Sequence, residues 1–331
     1  MRQLCRTAAS LGLFLASLFS VSCQNPIQES TDRYIMVCSN INIAYWQEAR
    51  AGLMDAASGM GVKAEFTGPT IYSAHEEVLA FRDAVARRPA GIILAPLRPE
   101  LLTTAINSAI AAGIPVITLD TDAPDSKRIL YIGTDNRQAG IEIGNQIASL
   151  MKGKGRLAVI TVPAQHNLEE RLLGLQEALA NYKDIKIAAT LDDEGNAQAA
   201  SQALSDLFKK GETVDGVVCL EASGGPGAGE ALRTLGHGGK IPVVAMDTDR
   251  ATLDFIEQGV ITATIGQKPY TMAFYGLRFL YDLHHGAVHK FANWRTAPTS
   301  PLPARVDTGT SVINADNLSS FRAAAGLSNA R

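Results

Sequence analysis

Short runs of apolar, β-branched residues alternate with amphipathic stretches of helical length along almost the whole chain. The runs include "YIMVCS", "AGIILAP", "RLAVITV" and "GVVCLE", and stretches such as "NLEERLLGLQEAL" separate them. Strands that alternate with helices of this length form βαβ units and parallel sheets. Several helical stretches end at a glycine, for example Gly61 and Gly113, as a left-handed helix cap prefers. The sequence therefore predicts an α/β protein built on parallel sheets.

One of these runs occurs twice. The stretch "IPVITLDTD", Ile114–Asp122, returns as "IPVVAMDTD", Ile241–Asp249, after 241 − 114 = 127 residues. Such a strand is typical of a sheet covered on both faces, and open α/β sheets bind ligands at the carboxyl ends of their strands. We therefore predict two similar lobes, of which one offers Asp120 and the other Asp247 to a shared ligand. Both aspartates also suit a helix N-cap or a turn.

The first residues have the pattern of a secretory signal peptide. A short basic segment precedes the apolar run 11–19, which is too short to span a membrane. Ordinary cleavage fits the small residues before Cys23, and so does the acylated cysteine of a bacterial lipoprotein, although lipoproteins normally have Leu where this chain has Ser20. We predict a signal peptide at 1–22, a polar tether at 23–33 and lipid attachment at Cys23. A cysteine without a chemical role is the alternative.

Charge and cysteine content limit the classes of partner. The formal net charge is −3, whereas binding of nucleic acid needs a basic patch for the phosphates. No run after the signal approaches about 18 apolar residues, so no further membrane span is predicted. Cys38 and Cys219 lie near the ends of predicted strands in different halves and are expected to be buried free thiols, with a disulfide as the alternative. No Cys-x-x-Cys metal spacing occurs.

The sequence also contains features that imitate catalytic sites. The glycine-rich stretch "EASGGPGAGEAL" could hold a phosphate on backbone N–H groups, but no register matches G-x-G-x-x-G and no Gly-Lys-Ser/Thr follows. A nucleotide-using enzyme is therefore the weaker interpretation. G-x-S-x-G is absent, and the six histidines show no metal spacing. His284 and His285 are expected on the solvated end of a helix. We predict no catalytic residue, no cofactor and no metal.

Aromatic and charged residues lie in the first turns of two predicted helices. Tyr45 and Trp46 are adjacent, so they cannot both face one core, and at least one is expected to face the cleft. Arg171 falls at the edge of a stripe of buried leucines. It either leans over the rim of the sheet or forms a surface salt bridge with Glu170 or Glu177.

These stretches resemble the type I periplasmic solute-binding proteins of the ribose/galactose-binding class, which share their core with lac-repressor-type regulators. The resemblance runs from about Tyr34 to Ile313, and "DTDAPDSKRILYIGTDN" is its most specific part. No DNA-reading helix-turn-helix precedes the core, which argues against the regulator branch. The resemblance implies two α/β lobes joined by three hinge crossings near Thr134, Gln267 and Pro303. The lobes would comprise 34–133 with 268–303, and 134–267 with 304–331.

The resemblance also implies a site. Thr121 stands where ribose binders often have Arg, while Glu221 and Ala95 stand at positions usually occupied by Asn, which argues against ribose itself. Three acids against one Arg favour a neutral sugar or polyol, because an anion would leave charges unpaired. The implied ligand-binding residues are Ser39, Tyr45, Trp46, Asp120, Thr121, Arg171, Glu221, Asp247 and Gln267.

The function implied is that of an extracytoplasmic sugar-binding component of an ABC importer, which closes its hinge on the ligand. Its partners would be the small sugar or polyol and a permease in the inner membrane, with the protein itself a monomer. It would lie in the periplasm or on the outer face of the cytoplasmic membrane. The alternative is a protein of the same fold that delivers its ligand to a membrane chemoreceptor or sensor kinase.

Overall fold

The structure, a computed structural model, describes residues 31–288 and 293–327. The predicted signal peptide and Cys23 lie outside these residues. Within them, helices and strands alternate as the sequence predicts, and no helix in this part of the chain is long and apolar enough to cross a bilayer. Cys38 and Cys219 are buried free thiols, as predicted.

The first sheet is parallel throughout. Its core strands are short and almost wholly buried, since helices cover both of its faces. The strands are β1 (Arg33–Val37), β2 (Lys63–Thr67), β3 (Gly91–Leu94), β4 (Val116–Leu119), β5 (Tyr131–Gly133) and β11 (Arg305–Asp307). Their order across the sheet is β11-β5-β4-β3-β1-β2.

Four helices cover this sheet, two on each face. They are α1 (Ala44–Met60), α2 (Ala74–Ala86), α3 (Pro99–Ala111) and α9 (Pro269–His284). Helices α1 and α9 share one apolar cluster, and α2 and α3 share the other. The α1–α9 contact is close enough to require glycine, because a Cβ at Gly52 would lie 2.1 Å from the carbonyl oxygen of Tyr270.

The second sheet repeats the first. Its strands are β6 (Lys154–Thr161), β7 (Asp184–Asp192), β8 (Gly216–Cys219), β9 (Val243–Met246), β10 (Ala263–Gly266) and β12 (Ser311–Asn314). Their order is β12-β10-β9-β8-β6-β7, and only the β10–β12 pair is antiparallel. Its helices are α4 (Asn136–Leu150), α5 (His166–Leu179), α6 (Ala197–Lys209), α7 (Gly224–Thr234), α8 (Arg250–Glu257) and α10 (Leu318–Ala324).

The repeated stretch in the sequence corresponds to a repeated position in the fold. Strand β4 is third in the first sheet and β9 is third in the second, and each is fully buried. Helices α4 and α5 cover one face of the second sheet, and α6, α7 and α8 cover the other. The predicted α/β class with two similar parallel-sheet lobes is confirmed.

The chain passes between the sheets after β5, after β10, and between β11 and β12. The third passage therefore lies at 308–310, and the predicted crossing near Pro303 is wrong. Strand β11 pairs in parallel with β5, with Arg305 opposite Tyr131, so 304–307 belong to the first sheet. The strand has only three residues, of which two are charged, and it follows a proline-rich stretch, so the sequence pattern did not reveal it.

Candidate ligand-binding site

Asp120 and Asp247 occupy equivalent positions at the ends of β4 and β9. Both have a left-handed backbone, with φ of 64° and 67°, which aspartate tolerates better than most residues. The amide of each donates to the neighbouring strand, Asp120 to the carbonyl of Ile132 and Asp247 to that of Ile265. Each is 6% exposed, and both line one cavity between the lobes. The repeat in the sequence thus brings two carboxyl groups together.

The second aspartate of each repeat has a structural role. Asp249 is the N-cap of α8, and its side chain accepts from the amides of Ala251 and Thr252 at 3.0 and 3.2 Å. The side chain of Asp122 pairs with Arg128, with an Nη2–Oδ2 distance of 2.6 Å. The capping alternative considered for Asp247 therefore belongs to Asp249, two residues later.

About 370 Å³ between the walls, open solvent included, is not filled by protein atoms. Of the residues implied by the sequence, Thr121 is not on the wall. It is buried behind Asp120, and its hydroxyl lies 3.3 Å from Oδ2 of that residue. The implied residues that do line the cavity are Ser39, Tyr45, Trp46, Asp120, Arg171, Glu221, Asp247 and Gln267.

Other wall residues were not anticipated. Tyr72 follows β2 and Asn167 follows β6 closely, at the same edge of the sheets as the other candidates. The strand-end argument could have found both, but neither stood in a repeated or charged motif. The remaining unanticipated residues of the wall are Ile43, Gln165, Leu168 and Ala222.

Asp120 is held by donors from both lobes. The hydroxyl of Tyr45 lies 2.6 Å from Oδ1, and Nδ2 of Asn167 lies 3.3 Å from Oδ2. Burial raises the pKa of Asp120, and the positive charge of Arg171 and the donated hydrogen bonds oppose that rise. In the closed arrangement the carboxyl group is therefore oriented by residues of both lobes.

Arg171 is a buried residue of the site and not part of a surface salt bridge. It is 1% exposed and donates to Oδ1 of Asn136, to the carbonyl of Leu220 and to Oε1 of Gln267, at 2.9, 2.7 and 2.8 Å. The neighbouring Arg137 forms the surface ion pair instead, with Glu177. The guanidinium of Arg171 thus reaches Gln267, which follows β10 at the second passage between the sheets.

Gln267 connects this arginine to the second aspartate. Its amide nitrogen donates to Oδ1 of Asp247 at 3.0 Å, while its oxygen accepts from Arg171. Burial raises the pKa of Asp247 to about 7, although Arg171 and Gln267 favour the ionised form. The Asp247 carboxyl is therefore close to half ionised at neutral pH.

Glu221 adds a third buried acid to the wall of the cavity. Burial is the main cause that raises its pKa, and the nearby carboxyl of Asp193 raises it further. The Glu221 side chain accepts from the amides of Ser223 and Gly224 at the start of α7. Because burial raises the pKa of Asp120, Glu221 and Asp247, and Arg171 adds a positive charge, the wall carries less negative charge than three free acids would. An uncharged ligand suits such a site.

Tyr45 and Trp46 both line the cavity and both also pack in the apolar cluster of the first lobe, so the premise that these adjacent residues cannot face one core is wrong. Their rings form an edge contact, with centroids 4.9 Å apart at 86°. Trp46 is 3% exposed and packs in the core of the first lobe, and its indole N–H has no hydrogen-bond partner among the described residues. A buried donor at the wall of a cavity is suited to a ligand oxygen.

The two lobes touch each other across the cleft. Nη1 of Arg98 lies 2.7 Å from the carbonyl oxygen of Ala164, and the ring of Tyr72 packs against Gly195, where a Cβ would lie 2.4 Å from it. Asn167 reaches Asp120 across the same gap. The cavity is thus enclosed by residues of both lobes.

Comparison with known proteins agrees with this architecture. The model of a family described as the periplasmic binding protein domain matches residues 34–287. The chain belongs to this family. The D-allose-binding periplasmic protein of Escherichia coli strain K12 is 24% identical over 259 residues, which cover 75% of this chain and 83% of that protein.

Solved structures of periplasmic binding proteins match over the same region. A sugar-binding protein of a sugar ABC transporter from Bacillus halodurans is 34% identical with a TM-score of 0.79, over 88% of this chain and 100% of that one. The arabinose-binding protein AraP from Geobacillus stearothermophilus is 35% identical with a TM-score of 0.74, over 88% and 99%. The family is one of binding proteins.

Proposed function

We propose that this chain is the extracytoplasmic component of an ABC importer that captures a neutral monosaccharide or polyol between its two lobes. The observation that carries the proposal is the meeting of Asp120 and Asp247, from equivalent strands, with Arg171 in one buried cavity. Relatives named as binding proteins for D-allose and for arabinose support a sugar as the ligand class.

The site offers each kind of contact that a sugar needs. The carboxyl groups of Asp120 and Asp247 accept hydrogen bonds from hydroxyl groups, and Arg171 and the indole of Trp46 offer donors. The rings of Tyr45 and Trp46 form an apolar surface for the C–H face of a sugar ring. Three acids against one arginine disfavour a strongly anionic ligand, since its charge would stay unpaired after burial.

Capture proceeds by closure about the three passages between the sheets. A ligand that contacts both lobes stabilises the closed arrangement, and contacts such as that of Arg98 with Ala164 form at the same time. The closed lobes then present their surfaces to a permease in the inner membrane. Import is favoured over delivery to a receptor, because relatives are named as import and ABC transporter proteins.

We infer that the chain acts as a monomer on the outer side of the cytoplasmic membrane, attached by a lipid at Cys23. The described structure begins just before β1, and the polar stretch from 23 gives enough chain to separate the lobes from a membrane surface. Globomycin treatment of cells, which blocks lipoprotein signal cleavage, should leave an unprocessed form, and Cys23→Ala should abolish labelling by palmitate. Release of unlabelled wild-type protein into the soluble fraction would contradict the anchor.

A thermal-shift screen of pentoses, hexoses and polyols tests the function directly. A ligand at 100 times its dissociation constant should stabilise the protein by about 2.7 kcal/mol. Sugar phosphates and sugar acids serve as anionic controls, and ATP and NAD serve as controls for a nucleotide site. Stabilisation by a nucleotide or an anionic sugar alone would contradict the proposal.

A further inference from the structure

Asp32, His284 and His285 form a cluster at the base of the first lobe, where the chain enters β1 and leaves α9. Nε2 of His285 lies 3.0 Å from Oδ2 of Asp32, and Nε2 of His284 lies 3.6 Å from Oδ1. One ligand atom from each of the three residues lies within 4.8 Å of the other two. From this arrangement we propose that the three side chains bind a divalent transition-metal ion, zinc in the first instance.

The distances match the needs of a tetrahedral ion. Zinc binds imidazole nitrogen at about 2.0–2.1 Å and carboxylate oxygen at about 2.0–2.2 Å, which sets neighbouring ligand atoms about 3.3–3.4 Å apart. Nε2 of His285 lies 3.0 Å from Oδ2 of Asp32, and Nε2 of His284 lies 3.6 Å from the other oxygen, Oδ1. Side-chain rotation would bring one carboxylate oxygen and both imidazoles to a single ion. Two imidazoles and one carboxylate leave a fourth position for water.

The surroundings favour a cation. His284 ends α9 and His285 follows it, where the partial negative charge of a helix C-terminus stabilises positive charge. The side chains of His284, His285 and Asp32 are 39%, 37% and 22% exposed, so an ion can reach them from solvent. The ring of Tyr281 lies against that of His285, with centroids 4.2 Å apart, and restricts its orientation.

A buried hydroxyl beside the cluster gives an independent indication. Tyr34 is completely buried, and its hydroxyl has no hydrogen-bond partner in the part of the chain that the structure describes. The ring of Tyr34 meets that of His284 edge-on, with centroids 6.4 Å apart. Water bound to a metal would supply the acceptor that this donor needs.

The site lies outside what sequence spacing can indicate. Asp32 is 284 − 32 = 252 residues from His284. In the sequence, the two histidines indicate only the solvated end of a helix. The fold brings the carboxylate of Asp32 next to them. A bound ion would tie the residue before β1 to the end of α9, the helix that begins just after the passage at Gln267. It would thereby fasten the entry of the tether to the first lobe.

Calorimetric titration of the mature protein, purified without a histidine tag, with zinc sulfate tests the site. We expect one equivalent to bind, and Co²⁺ in its place to give the visible absorption of a tetrahedral ion. His284→Asn, His285→Asn and Asp32→Asn should each weaken binding at least about tenfold, the lower range for loss of a supporting group. His75→Asn, a change at an exposed histidine of α2, should leave the affinity unchanged.

Circular dichroism of each variant shows whether it folds, so loss of binding by a folded variant supports the site. No saturable zinc binding by the wild type would overturn the proposal. So would equal affinity in the wild type and in the double variant His284→Asn/His285→Asn. In either case the histidines would only hydrogen-bond to Asp32.

Discussion

The guanidinium of Arg171 lies 2.8 Å from the side-chain oxygen of Gln267, which joins helix α5 to the second passage between the lobes. The same oxygen accepts the hydroxyl of Thr134, at the first passage, also at 2.8 Å. The amide nitrogen of Gln267 reaches Asp247. Through Gln267, one arginine therefore connects two of the three passages with a carboxyl group of the cavity, and its charge opposes the rise in pKa of Asp120 and Asp247.

Replacement of Arg171 by Ala should strongly destabilise the fold. It would leave buried acceptors on Asn136, Leu220 and Gln267 without their donor, and it would remove the one nearby positive charge that eases ionisation of the aspartates. Removal of one partner from a buried charged interaction lowers the free energy of unfolding by about 3–5 kcal/mol. Denaturant unfolding of the ligand-free protein measures this loss.

Arg137→Ala is the matched control, because Arg137 lies on the adjoining helix and pairs with Glu177 at the surface. Its loss should change the free energy of unfolding by no more than about 0.5 kcal/mol. A similarly small change in the free energy of unfolding for Arg171→Ala would show that the buried hydrogen bonds of Arg171 contribute little to stability.

Closure should depend on the contact between Tyr72 and Gly195. A Cβ at Gly195 would lie 2.4 Å from the Tyr72 ring, so Gly195→Ala should hinder closure and weaken ligand binding by about 1–3 kcal/mol. Small-angle scattering should show that ligand reduces the radius of gyration of the wild type, and reduces it less in the variant at equal ligand concentration.

Gly211 provides the control for backbone strain. Its φ is +82° and that of Gly195 is +64°, but a Cβ at Gly211 meets nothing within 4 Å. Gly211→Ala should therefore lose some stability and keep the wild-type affinity. An unchanged radius of gyration when the wild type binds a confirmed ligand would contradict the closing mechanism.

Trp46 should report on ligand binding through its fluorescence. It lines the cavity, whereas Trp294 lies beside Arg295, whose guanidinium carbon is 5.2 Å from the indole ring. A change in emission on binding should persist in Trp294→Phe and disappear in Trp46→Phe. Trp46→Ala should weaken binding by about 1–3 kcal/mol through lost aromatic contact. The opposite pattern in the two Phe variants would assign the signal to Trp294.

Much of the site could be predicted because strand ends in α/β folds share one edge. The repeated Asp-Thr-Asp showed which residues end equivalent strands, and Asp120 and Asp247 followed from that pattern alone. Periodicity placed Arg171 at the margin of a buried stripe but left its partner open. The three acceptors of Arg171 lie on other segments of the chain. Only the folded structure therefore shows whether Arg171 lies over the rim of the sheet or forms a surface salt bridge.

What the sequence could not reveal depends on contacts between distant segments. Strand β11 forms because its backbone pairs with β5. Arg305 lies opposite Tyr131, which is 305 − 131 = 174 residues earlier in the chain. The side chains of β11 show no pattern typical of a strand. Thr121 adjoins a ligand-site residue in sequence yet lies behind it, because the left-handed turn at Asp120 sends the two side chains to different places. The packing of Tyr72 against Gly195 joins residues of two lobes, which no local pattern in the sequence indicates.

Ligand affinity should rise with pH through neutrality. Burial raises the pKa of Asp247 to about 7, and its carboxyl accepts hydroxyl protons fully only when ionised. If binding requires the ionised form, affinity should fall about tenfold for each pH unit below 7. Calorimetry with the identified sugar between pH 5.5 and 8.5 checks this, and Asp247→Asn should bind more weakly with a flatter pH profile. A flat wild-type profile would exclude the requirement.

The same carboxyl has the opposite effect on the ligand-free protein. Because its pKa is higher in the folded state than the ordinary value of about 3.9, the folded form holds a proton that the unfolded chain has released. Its contribution to stability is full below about pH 4 and is lost as pH rises through 7. Stabilisation by ligand should therefore be larger at pH 8 than at pH 5.5.

Replacement of either Asp120 or Asp247 by Asn should weaken binding without loss of the fold. The left-handed backbone at both positions is one that Asn adopts readily, so the turn is preserved. The amide has one acceptor oxygen and turns two donors toward the ligand hydroxyls. Each change should cost about 1.5–3 kcal/mol of binding, roughly ten- to a hundredfold in affinity.

Asp249→Asn is the control within the same motif, since this residue caps α8 and Asn is an equally good cap. It should keep wild-type affinity. Calorimetry on the three variants then separates the two roles that the repeated motif combines. Because the two aspartates face the cavity from different lobes, loss of either should weaken binding, and wild-type affinity in both Asp120→Asn and Asp247→Asn would refute a site built from two carboxylates.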